Sequence, residues 1–177
     1  MSAAKKRGRF VKSAESDVPV DKSVADIKDL VRKYGAVGFG VSENYESGMS
    51  VIELMLPDLP GEPARVPFRI PVNVQRVYDV LYNQPRASGG DPYKESHAEA
   101  RRQQAERTAW RHAFYTIEVA LMTATLGGRP VSESLMADLV VVDNEGHRER
   151  MGDYLQRTGG TLAPGVRALL APPRSEP

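Results

Sequence analysis

Trp110, Phe114, Ile117, Leu121 and Ala124 recur at intervals of four, three, four and three residues, the spacing that aligns side chains along one face of an α-helix. Arg107 and Arg111 stand one turn apart at the polar border of that stripe. A face so broad has to be buried, and the chain has no cysteine among its 177 residues, so neither disulfides nor thiolate metal sites can hold it. The core must therefore be apolar, and the length suffices for one ordinary core.

The stripe predicts a long helix from about Tyr93 to Leu126, ended by Gly127-Gly128. Its first half, to Glu106, is polar nearly all round and is expected to project into solvent or meet a partner.

Upstream, Ser23 with Asp26 reads as a cap for a helix over 23–34, in which Val24, Ile27, Leu30 and Val31 form the stripe and Gly35 the stop. Val37, Phe39 and Val41 then alternate with Ala36, Gly38 and Gly40, and a second alternating run, with Ile52, Leu54 and Leu56, follows the turn residues 44–48. The pattern is a β-hairpin. Its glycines suit close packing of a helix on the sheet, or close approach of a ligand backbone.

In 65–72, Val66, Phe68, Ile70 and Val72 point one way and Arg65, Pro67, Arg69 and Pro71 the other. Pro67 and Pro71 cannot donate to a ladder on the side they share, so this strand should be a sheet edge that does not readily recruit another strand. Arg65 and Arg69 lie opposite the core, as solvated side chains or as a cationic platform.

Asn73 caps a second helix to about Tyr82, and Pro- and Gly-rich residues 84–92 form a loop. Beyond Pro130, Ser132 reads as the cap of a short helix, Leu139 to Val142 as a short strand closed by a turn at 143–146, and 151–157 as a helical turn with Tyr154 and Leu155 buried. The expected architecture is α+β: a short N-terminal helix, a three-stranded antiparallel sheet, a helix, a long helix packed on the sheet, and a small C-terminal helix and strand region. Residues 1–18 read as a disordered basic arm, 19–157 as a single domain and 158–177 as a flexible tail, with Val166, Leu169 and Leu170 as a weak amphipathic patch.

Tyr34-Gly35-Ala36-Val37-Gly38-Phe39, the Arg-x-x-Trp-Arg start at Arg107, Trp110 and Arg111, and Val141-Val142-Asp143 before a glycine turn together resemble a family of small uncharacterised bacteriophage and prophage proteins. The likeness covers about residues 19–82 and 105–155. It implies a phage or mobile-element origin and no particular activity. The basic tail, the proline-rich strand and residues 92–106 depart from that family's pattern.

Composition and motifs exclude more than they assign. A formal charge of +1, from 24 Lys and Arg against 23 Asp and Glu, rules out a generally basic nucleic-acid coat, so cationic function has to be local. No apolar run approaches the roughly 20 residues of a membrane span, and no secretory leader is recognisable, so the cytoplasm, or a virion if phage-encoded, is expected. His97, His112 and His147 are isolated, which argues against a zinc hydrolase. Asp91, Glu95 and His97 fit a helix start better than a site. There is no nucleophile elbow and no phosphate-binding glycine loop before a helix, and the carboxylates are spread over different elements. No enzyme activity, cofactor or metal is expected.

Local cationic clusters remain. Lys5, Lys6, Arg7 and Arg9 form an arm, Arg101, Arg102, Arg107 and Arg111 lie along the long helix, and Arg65 and Arg69 on the strand. They suit phosphate neutralisation, with Tyr45, Tyr78, Tyr82 and Tyr93 available either to stack bases or to pack half-buried. Arg107 and Arg111 could equally pair with acids such as Glu106 or Glu118. The helix, three strands and helix of 23–82 share their order with double-stranded-RNA-binding domains, but Asn73 to Arg76 lacks the basic helix start of that fold. The expectation is a non-enzymatic phage-type accessory protein binding DNA, RNA or a nucleoprotein assembly through the basic helix and arm. The alternative is a protein–protein module, such as a virion component or an inhibitor of a host enzyme.

Overall fold

The structure, a computed structural model, describes residues 16–44, 49–82, 98–142 and 146–160. The basic arm up to residue 15, the turn at 45–48, the loop and helix start at 83–97, the turn at 143–145 and the tail from 161 lie outside the described residues, and with them Lys5, Lys6, Arg7 and Arg9. The order is α1 (Val20–Tyr34), β1 (Gly38–Asn44), β2 (Met49–Pro57), β3 (Arg65–Val72), α2 (Val74–Tyr82), α3 (Ala98–Gly127), α4 (Val131–Ser134), a 3-10 turn (Met136–Asp138), β4 (Val140–Val142), β5 (Arg148–Arg150) and α5 (Met151–Arg157). β1, β2 and β3 form an antiparallel sheet in that order, and β4 and β5 a separate antiparallel pair, so the α+β expectation holds.

The chain divides into two compact units, Met1–Leu30 with Val41–Val51 and Pro71–Val119, and Val31–Gly40 with Ile52–Ile70 and Ala120–Pro177. In the first, the buried residues include Ile27, Val72, Trp110, Phe114 and Ile117, with Ala105, Ala109 and Ala113 between them on α3. The large side chains follow the predicted stripe, and the small ones widen the face that can approach other elements closely.

α1 begins three residues earlier than its sequence signals suggested, because Pro19 opens the first turn and its carbonyl accepts from Ser23 N at 3.1 Å. Asp21 in the first turn and Arg32 and Lys33 in the last complement the helix dipole. Ser23 is thus not the cap. Its hydroxyl is fully buried and has no partner among the described residues. A buried hydroxyl that makes no hydrogen bond costs stability, so Ser23→Ala should leave the protein as stable or raise stability by up to about 1 kcal/mol. Urea denaturation checks this, and a loss of that size would show that the hydroxyl has a partner in solution. Asn73 is a true cap, its Oδ1 accepting from Arg76 N at 2.8 Å.

In the second unit, Ile52, Leu54, Leu56, Phe68 and Ile70 form the buried face of the strands, and Leu121, Ala124, Val131, Leu135, Leu139, Val141, Met151 and Tyr154 are buried with them. The stop of α1 also falls here: Gly35 takes φ +105°, and Ala36 N and Gly35 N donate to Val31 O (2.9 Å) and Arg32 O (3.1 Å). That pair of bonds closes a helix through a left-handed residue, as the glycine predicted.

β3 has the predicted bounds and forms one border of the sheet. Its outer side is not bare, since Phe68 makes an isolated antiparallel bridge with Leu139. The flanking prolines supply no amide donors, which explains why the pairing stays a single bridge and not a fourth strand.

Two features of the C-terminal region differ from expectation. Ser132 lies inside α4 and does not cap it; the cap comes from Asp58, whose Oδ1 accepts from Ser132 N at 2.8 Å, whose Oδ2 accepts from Ser132 Oγ at 2.9 Å, and whose carbonyl accepts from Val131 N at 2.9 Å. β5, a charged Arg-Glu-Arg run with no strand periodicity, pairs with β4 in the register Val140↔Arg150, Val141↔Glu149 and Val142↔Arg148. Met151 N prolongs the pairing to Leu139 O at 2.8 Å. Arg150 reaches Asp138 Oδ1 at 2.6 Å, and burial pushes the Asp138 carboxyl above its usual range despite that arginine.

Candidate nucleic-acid interface

Four of the predicted cationic residues lie on α3 in the first unit, and they are not equivalent. Arg111 donates to Asp26 Oδ2 at 3.0 Å and lies over the Phe114 ring at 4.2 Å and the Tyr115 ring at 5.0 Å. Its observed carboxylate partner is therefore Asp26 of α1, reached across 85 positions of chain, and not Glu106 or Glu118. Asp26 also accepts from Lys22 Nζ at 2.7 Å. The Lys22 hydrogen bond, aided by Arg111 and opposed by burial, holds the Asp26 carboxyl below its usual range. Arg111 works as a clasp between α1 and α3.

Arg107 donates to Gln104 Oε1 at 3.0 Å, one turn back on the same helix. Arg101 sits at 5.9 Å from the Tyr82 ring, and Tyr82 and Tyr78 are themselves a tilted pair at 5.3 Å. Both tyrosines are half-buried, which favours packing over open stacking platforms. Arg102, Glu99 and Gln103 are exposed on the polar first turns of α3. Of these four cations only Arg102 is exposed; Arg101 and Arg107 are half-buried, and Arg111 is committed to the fold.

Arg65 and Arg69 belong to the second unit. Arg65 caps its own loop through the carbonyls of Glu62 and Ala64. Arg69 stands on the face of the sheet away from the buried residues, with Nε 3.2 Å from Glu53 Oε1. On this face the two glycines of β1 matter. A Cβ built on Gly38 would come within 3.3 Å of Met55 Cβ, and one on Gly40 would meet Glu53 Cβ at 3.9 Å, so both open toward exposed residues of β2. Their bareness does not serve helix packing on the buried face. It leaves an open groove of about 510 Å³, walled by Met55, Glu53, Pro67 and Arg69 and, from β5, Arg148.

Arg148 was not among the residues singled out from sequence. It lies in a short charged strand far along the chain, and only the β4–β5 pairing brings it to the groove. Tyr34, the first residue of the Tyr-Gly-Ala run, buries its hydroxyl; desolvation, reinforced by Asp58 and Glu62, pushes its phenol above the ordinary range. Among the described residues no three histidine, aspartate or glutamate side chains gather as a metal site, and no helix is long and apolar enough to cross a membrane.

No family model matches the chain, and neither a curated protein nor a solved structure shows significant similarity to it.

Proposed function

We propose that this protein is a non-enzymatic, phage-type accessory protein that binds nucleic acid or a nucleoprotein assembly through the polar first turns of α3 and the basic arm. The observation that carries the reading is the placement of exposed Arg102, with half-buried Arg101 beside it, on the first turns of a helix whose later turns are anchored by a buried stripe. A rigid element presenting guanidinium groups to solvent suits phosphate contacts. Arg107 adds to the surface, whereas Arg111 contributes by holding α3 to α1.

The expected behaviour is binding to DNA or RNA at low salt that weakens steeply at moderate salt, with Arg101→Ala combined with Arg102→Ala reducing the salt slope by about two. Fluorescence anisotropy against single- and double-stranded DNA and RNA measures both. Absence of binding, or affinity insensitive to salt, would remove the proposal.

One observation favours a protein–protein module instead: Met122 and Leu126, one turn apart on α3, are 53% and 80% exposed. That reading predicts a discrete oligomer in light scattering, or capture of a protein partner from nuclease-treated host lysate.

A further inference from the structure

We propose that the groove on the open face of the sheet is a subsite for one unpaired base with its phosphate, and hence that the nucleic acid bound is single-stranded. The inference rests on the nucleic-acid reading above and adds to it the strandedness of the ligand and a second contact surface.

The floor of the groove is bare backbone at Gly38 and Gly40, so a flat ring can lie against the peptide planes with the Met55 and Glu53 side chains beside it. Met55 and Pro67 give apolar walls, and Arg69 and Arg148 border the same space. The Glu53 carboxylate, beside Arg69, is an acceptor for ring N–H or amino groups. A purely anionic ligand would be repelled by Glu53 and leave the apolar walls uncovered. A purely apolar ligand would desolvate Arg148 without supplying a counter-charge.

A nucleotide joins the three properties the groove presents: a flat ring face, hydrogen-bond donors on its edge, and a phosphate for an arginine. At about 510 Å³ the space is of the size that holds small ligands, and it is open along the sheet, so a strand can enter and leave. In a duplex both faces of a base are covered by its neighbours, and a paired base cannot lie on a floor of this kind without being extruded. Unpaired bases meet no such cost.

Gly40→Val separates this proposal from the broader one. Its Cβ would lie 3.8 Å from the nearest Glu53 atom, an ordinary contact, and no positive φ forbids a side chain there. The variant should keep the melting temperature, since valine suits a strand, while filling the floor of the groove.

Anisotropy titrations would compare one mixed-sequence oligonucleotide as a single strand and as a duplex, in DNA and RNA. The expected result is tighter binding of the single strand, a loss of about tenfold in single-strand affinity for Gly40→Val, and unchanged duplex binding. Arg148→Ala should also weaken the single-strand complex and lower its salt slope by about one. Preference for the duplex, or single-strand affinity unaltered in a folded Gly40→Val, overturns the proposal while leaving the nucleic-acid reading standing. If neither form binds at low salt, that reading falls and takes this one with it. Should Gly40→Val fail to fold, the Arg148→Ala result decides: unchanged single-strand affinity and salt slope overturn the subsite.

Discussion

Trp110→Ala is expected to remove about 3–5 kcal/mol of stability, the largest effect of any single substitution considered for this chain. Trp110 is 3% exposed and occupies the centre of a buried run that continues through Phe114 and Ile117. Truncation to alanine loses the transfer free energy of the indole and leaves a void that neighbouring alanines on α3 are too small to fill. Total stabilities of such domains are about 5–15 kcal/mol, so the variant should lie near the edge of folding at ambient temperature. Denaturant titration followed by circular dichroism is the suitable measurement, because the chain's one tryptophan, 1 in 177 residues, is the residue removed. Met122→Ala on the exposed side of the same helix should change stability by less than about 0.5 kcal/mol. Equal losses from the two variants would contradict the burial pattern of α3.

Asp58→Ala is expected to cost about 1–2 kcal/mol, toward the upper end because a charged acceptor is removed. α4 has 4 residues and cannot sustain itself by its own hydrogen bonds, so its start depends on the loop after β2. The carboxylate takes both the Ser132 amide and the Ser132 hydroxyl, and Ser132→Ala, which spares the amide bond, should cost less than half as much. Hydrogen exchange at the amides of Val131 and Ser132 would rise in Asp58→Ala. If both variants lose the same amount, the amide bond contributes nothing and the capping role assigned to Asp58 is mistaken.

What could be read in the sequence is what a few neighbouring residues decide. The buried stripe of α3, the bounds of β3, the Asn73 cap and the Gly35 stop depend on spacing, on a missing N–H, on a side-chain acceptor three residues before its donor, and on a positive φ. Each is a local cause. Ser23 misled because a serine three residues before an acid fits a capping box, whereas Pro19 had already opened the helix. Asp58 and Ser132 lie 74 positions apart, and no local pattern couples them.

The functional surface divides in the same way. Arg102 was legible as an outward cation because the polarity of its helix segment is local, whereas the approach of Arg101 to Tyr82 was not. That Arg111 is held by Asp26 was not, since an arginine beside an apolar stripe looks the same whether solvated or clasped. The groove was still less visible: the glycines announced a bare backbone, but which side of the sheet they opened toward depends on which face is buried. Arg148 joins them through a strand that exists only because β4 pairs with it.

The two borders of the sheet are unlike. β3 carries Pro67 and Pro71 and is touched by Leu139, whereas β1 forms the opposite border, has no proline, and follows Val37, which is 67% exposed. Edge-to-edge growth of this sheet needs a competent border on each side, and the proline-bearing strand lacks a full row of amide donors, so a strand added at β1 finds no matching border at β3 along which the three-stranded sheet could go on growing.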